Sequence, residues 1–248
     1  ARQLTAPALT SLDSCVLPAP IASLRNLTSL CLDHALSATD AARLTATAKS
    51  LRSLDVYAVA HIAPLLVSLP VLERLTVRSD ERSDGDVKQR GQIAAQSKLA
   101  LLATTRLLRA LVSAELRFAN LRSLDISEIG FSFMSNSASI DLSKAINCVT
   151  MPQLRVLRLA APALTFARSC DKEGGTRWQL EELSICDAAT FGLADLHNLL
   201  DGIDHSASNL CVLLQLPSDN AVQSCAFVDA IVERVPWATV QNRIGCSL

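Results

Sequence analysis

Leu51-Arg52-Ser53-Leu54-Asp55-Val56 has the form L-x-x-L-x-(L/V/I), and the chain returns to that phrase again and again. Leu27-x-x-Leu30-x-Leu32, Leu72-x-x-Leu75-x-Val77, Leu121-x-x-Leu124-x-Ile126, Leu154-x-x-Leu157-x-Leu159 and Leu180-x-x-Leu183-x-Ile185 match it, and Leu9-x-x-Leu12 is a degenerate copy that ends in Ser14. The last two apolar places are two residues apart, which is the period of a strand with one buried face. One such strand is too short to bury its leucines alone. Recurrence therefore points to a solenoid, in which stacked neighbours bury them together.

Phrases start at 9, 27, 51, 72, 121, 154 and 180, and a looser apolar strand is expected at Leu210–Leu216. Pro7, Pro70 and Pro152 each stand two residues before the first leucine of a phrase. Proline stops a preceding helical segment and biases its predecessor toward extended backbone, so these positions mark strand approaches.

This phrase resembles that of the leucine-rich repeat superfamily, over roughly four fifths of the chain, at repeat lengths of about 20–29 residues plus insertions. The resemblance implies an α/β fold of short parallel strands on a concave face, with helices and irregular segments on the convex face. The family's asparagine eight places into the phrase is replaced by Ala35, Val59, Asp80, Ile129, Pro162 and Ala188, so a regular asparagine ladder is not expected. The irregular copies resemble the recognition arms of F-box leucine-rich repeat proteins. The F-box itself is not found, and would lie upstream of residue 1 or be absent.

Residues 1–248 read as a single repeat domain. Helices are expected where Ser37-Ala38-Thr39-Asp40 resembles a capping box ahead of Ala41–Ser50, over Leu193–Ile203, and over Ala221–Val235 before Pro236. The segment 217–248 is expected to close the stack, with the last helix covering its exposed leucine layer. Residues 79–120 read as an insertion. The charged run Ser79–Arg90 precedes a long helix over Gln92–Phe118, and Gly130-Phe131-Ser132-Phe133-Met134 lies in a second irregular region.

Half of the residues are hydrophobic and 4% aromatic, so an aliphatic core is expected. A net charge of −1 gives no reason to expect nucleic acid or anionic lipid. The longest uncharged stretch, Val56–Leu72, is 17 residues with two prolines, short of the ~20 apolar residues a membrane helix needs. The chain opens Ala-Arg-Gln with no signal-peptide pattern, and eight cysteines form no C-x-x-C. Free thiols and an intracellular setting, cytoplasm or nucleus, are the expectation.

Phosphate-cradle, nucleophile-elbow and H-E-x-x-H motifs do not occur. Cys31-Leu32-Asp33-His34 comes nearest to a metal or nucleophile pair, but two ligands make no zinc site. No metal, cofactor or small-molecule ligand is expected, and an enzyme using Cys31 with His34 is the least supported reading. Alternation instead aligns the third, fifth and seventh places of each phrase on one face. From that row Asp33, Asp55, Tyr57, Arg74, Arg78, Asp125 and Arg158 are the expected contacts of a protein partner, with Tyr57 beside the arginines as anchor. The expected function is a protein-binding module; the alternative is a structural subunit docked permanently in an assembly.

Overall fold

In the computed structural model the residues described are 11–14, 25–32, 36–57, 62–78, 117–126, 140–160, 164–167, 177–186, 191–204, 206, 209–217 and 221–245. Its strands are β1 (Ser11–Ser14), β2 (Ser29–Leu32), β3 (Ser53–Tyr57), β4 (Arg74–Arg78), β5 (Ser123–Ile126), β6 (Ile140–Asp141), β7 (Val156–Ala160), β8 (Leu164–Thr165), β9 (Glu182–Cys186), β10 (Cys211–Pro217) and β11 (Thr239–Gly245). Nine of them form one parallel sheet whose spatial order follows the chain, β1-β2-β3-β4-β5-β7-β9-β10-β11, while β6 and β8 make a separate two-stranded parallel pair.

Each strand that carries a phrase begins at the third place of that phrase. Strand pairing then sets equal places side by side: Leu30 opposite Leu54, Leu54 opposite Leu75, Leu75 opposite Leu124, Leu124 opposite Leu157, and Leu157 opposite Leu183. Val212 of β10 extends the column without a leucine phrase of its own. A second column runs through Val56, Val77, Ile126, Leu159, Ile185 and Leu214, and the first-place leucines Leu27, Leu51, Leu72, Leu121, Leu154 and Leu180 form a third; all are buried. Full burial of one leucine is worth about 1.5–3 kcal/mol, so the columns are the principal source of cohesion.

The approach to each strand repeats too. Amides of Leu51, Leu72, Leu121 and Leu154 each bond the carbonyl three residues back. The next two amides then share one carbonyl of the neighbouring unit: Arg52 and Ser53 donate to Thr28, Glu73 and Arg74 to Arg52, Arg122 and Ser123 to Glu73, Arg155 and Val156 to Arg122, and Glu181 and Glu182 to Arg155. This ladder satisfies backbone groups that would otherwise be stranded at the rim.

Four helices among the described residues stand off the sheet: α1 (Ala38–Thr47), α2 (Ile62–Val67), α3 (Leu193–Leu200) and α4 (Ala221–Arg234). Ser37 caps α1 by accepting from the Asp40 amide at 3.1 Å and donating to the Asp40 carboxylate at 2.7 Å. α1 buries Ala41 and Leu44, and α3 buries Leu196, Leu199 and Leu200. The stop before Pro236 holds, and after α4 the chain adds β11, parallel to β10, so Thr239–Gly245 extends the sheet by one strand. Thr239-Val240-Gln241-Asn242-Arg243-Ile244-Gly245 carries no leucine phrase, which is why it escapes the repeat search.

An aliphatic core describes only part of the interior. Phe166, Phe191 and Phe227 are fully buried and meet edge-on at 6.0 and 6.1 Å between centroids. Trp178 is fully buried nearby in the chain, its indole N–H donating to the Met151 carbonyl at 2.8 Å. Two expected features, the loop Ser79–Arg90 and the Phe pair of Gly130–Met134, lie outside the described residues. So does the helix over Gln92–Phe118, apart from Arg117 and Phe118, which are not helical; Phe118 is buried in the core. Among the described residues, no helix is long and apolar enough to cross a membrane.

Candidate functional site

Opposite the leucine columns, the sheet presents a polar face set by the same alternation: in β2 and β5 the burial alternates strictly, with Ser29 and Cys31, then Ser123 and Asp125, on the open side. Two charge clusters lie on that face, each built from three neighbouring strands.

The first joins β2, β3 and β4. Arg78 donates from Nε to Asp55 Oδ1 at 2.7 Å, and its Nη2 reaches Cys31 Sγ at 3.3 Å and the Leu32 carbonyl at 3.4 Å. The Cys31 thiol in turn points at Asp55 Oδ2, 3.6 Å away. Burial works against the Arg78 cation, but the hydrogen bond and charge of Asp55 outweigh it, and the net shift of its pKa is upward. Tyr57 lies opposite Arg78 in register, and the guanidinium carbon sits over its ring, 5.2 Å from the centroid.

Tyr57 is 3% exposed. The alternation breaks at the end of β3, where Val56 and Tyr57 are both buried. As an anchor offered to a partner Tyr57 is therefore corrected to a support under Arg78. Arg78 itself is mostly buried, with its Nε and Nη2 engaged.

The second cluster joins β5, β7 and β9. Arg158 grips Glu182 with two hydrogen bonds, Nε to Oε1 at 2.6 Å and Nη2 to Oε2 at 3.0 Å, and reaches Asp125 Oδ2 from Nη1 at 3.0 Å. Bonds to Glu182 first, then Asp125, raise the Arg158 pKa well beyond its ordinary value despite burial. Such forked contacts fix the planar guanidinium in orientation as well as position. Glu182 was not among the expected contact residues, although its third place in the phrase puts it on this face.

Arg74 differs from both. It is exposed at the start of β4, opposite Ser53 on one side and Ser123 on the other, and pairs with no carboxylate among the described residues. Asp33 and His34 lie outside the described residues. Asp55, Tyr57, Arg78 and Cys31 are thus brought together, as are Asp125 and Arg158, while Arg74 starts β4, the strand that ends in Arg78 and pairs with β5 of the second group.

A row of charge also follows the rim, at the second place of the phrase: Arg52 bonds Glu73 at 2.5 Å, and Arg155 pairs with Glu181. The sequence carried that signal as charged residues at equivalent places, Arg52, Glu73, Arg122, Arg155 and Glu181. Among the described residues no three His, Cys, Asp or Glu side chains gather as metal ligands.

Compared with known proteins, the chain matches no family model, no curated protein and no solved structure.

Proposed function

We propose that this chain is a leucine-rich repeat module that binds a protein partner on the concave, polar face of its sheet. The observation that carries the reading is the pair of cross-strand charge clusters, which hold long side chains in fixed positions along one face of a sheet built in chain order. Ordering those side chains before contact removes an entropic cost of about 0.5–1.5 kcal/mol per side chain that association would otherwise meet. Arg78 and Arg158 spend their donors internally, so they shape the surface, and the exposed Arg74 is the cation open to a partner's carboxylate. Binding rather than catalysis is the role this arrangement suits, since its most ordered charges already neutralise one another. The substrate-recognition arm of an intracellular ubiquitin-ligase-type protein is the setting that the repeat resemblance suggests.

The test compares capture of partners by the native chain, by Arg74→Glu and by Val67→Glu. Val67 is 60% exposed on α2, off the polar face. A partner retained by Val67→Glu and weakened about tenfold by Arg74→Glu supports the reading. Equal retention by both variants counts against it.

A further inference from the structure

Along the rim and the polar face most charges are held in pairs, but two arginines on neighbouring strands are not. Arg74 opens β4 on the polar face, and Arg122 occupies the rim just ahead of β5. Both are exposed, and neither pairs with a carboxylate among the described residues. We infer that the partner meets these two cations with an acidic segment, an extended run carrying two or more Asp or Glu side chains. This inference rests on the polar-face reading given above and names the chemistry of the partner there.

The fold brings the two arginines together. The Glu73 carbonyl accepts the amides of both Arg122 and Ser123. Arg74, next in the chain to Glu73, is the in-register partner of Ser123. At a strand spacing of about 4.8 Å and about 3.8 Å per residue along the chain, their α-carbons lie within about 9 Å. The neighbouring carboxylates are taken up by other cations. Glu73 pairs with Arg52 across the rim, Asp55 is held by Arg78, and Asp125 and Glu182 are held by Arg158. Arg155, the next arginine along the rim, pairs with Glu181. Ser53 and Ser123 flank Arg74 in register, half-buried on the open side, where their hydroxyls can donate to an incoming carboxylate.

Charge complementarity selects the occupant. Two cations set apart on neighbouring strands fit two singly charged groups on one peptide. A nucleic acid fits poorly, because its evenly spaced phosphates would have to pass Asp55, Asp125 and Glu182 on the same face. Tyr57 is buried beneath Arg78 and offers a base no stacking surface.

The experiment selects a displayed random-peptide library on the intact native chain and on Arg74→Glu with Arg122→Glu. Both substituted residues are exposed, so the melt should be unchanged. The native chain is expected to enrich sequences rich in Asp and Glu. A synthetic peptide of the enriched sequence should bind the double variant about tenfold more weakly or worse, and should bind the native chain less tightly as salt rises. A photocrosslinking side chain at Thr76 reports separately whether that peptide lies on the polar face. Peptides without acidic enrichment that still crosslink from Thr76 overturn the inference and leave the polar-face reading standing. Acidic peptides that bind the double variant as tightly as the native chain overturn it too. Peptides that never crosslink from Thr76, or no enrichment at all, overturn both.

Discussion

Replacing Leu54 with aspartate places a carboxyl in the middle of the leucine column. Leu54 is 1% exposed, and its in-register neighbours Leu30 and Leu75 are each 1% exposed. Removing the side chain to Cβ costs about 2–5 kcal/mol as lost transfer energy plus cavity. A carboxyl there finds no partner and is held neutral by desolvation, adding about 1–3 kcal/mol for an unmet polar group. Together that is about 3–8 kcal/mol, against the 5–15 kcal/mol typical of whole domains. Each strand is bonded only to its neighbours in chain order, so the loss should be felt first in β2, β3 and β4. Hydrogen exchange followed by mass spectrometry reads this directly. Amides of β2–β4 should exchange about a hundredfold faster or more, at about 1.4 kcal/mol per decade, while those of β9 and β10 stay far better protected. Leu54→Ala should show the same gradient with a smaller step. Unchanged exchange would mean that Leu54 does not face the core. Uniform loss from β2 to β10 would mean that the sheet unfolds as one unit, and would refute the nearest-neighbour reasoning.

Arg158→Met leaves Asp125 and Glu182 without their shared cation and should lower stability by about 1–2 kcal/mol, discounted because the Arg158 side chain is 41% exposed. Because the fold raises the Arg158 pKa, its contribution is complete below the ordinary value and is lost only as pH rises through the raised one. The cation's share is therefore constant over about pH 6–9, and a denaturant midpoint equal to the native one would show that the cluster contributes nothing. Trp178→Phe removes the indole bond to Met151 and should cost about 2–3 kcal/mol by the same measurement. Emission from the remaining Trp237, which is only partly buried, should be red-shifted relative to the native chain; an unchanged spectrum and midpoint would contradict the burial of Trp178.

The leucine phrase foretold β1 to β5, β7 and β9 because each strand's buried face is written in the spacing itself. Ser37 and Pro236 likewise marked helix boundaries by local chemistry alone. What escaped depends on neighbours distant in the chain. Tyr57 sits at an outward place by alternation, yet Arg78, 21 residues later, covers its ring. Glu182 became a site residue only through the fork of Arg158. α2 is short and sits in an apolar stretch with no capping signal, and Phe166, Phe191 and Phe227 come together across separate loops and helices.

The central claim is that the polar face, rather than the helical side, meets a protein partner. A photocrosslinking side chain placed at Thr76 or Ser123 on that face, and in separate variants at Val67 or Leu193 on the helices, tests it most directly. The account predicts crosslinks to one discrete protein from Thr76 and Ser123, competed by unmodified chain and lost on Arg74→Glu, with none from Val67 or Leu193. The same crosslink from the helical positions, with none from the polar face, would contradict it.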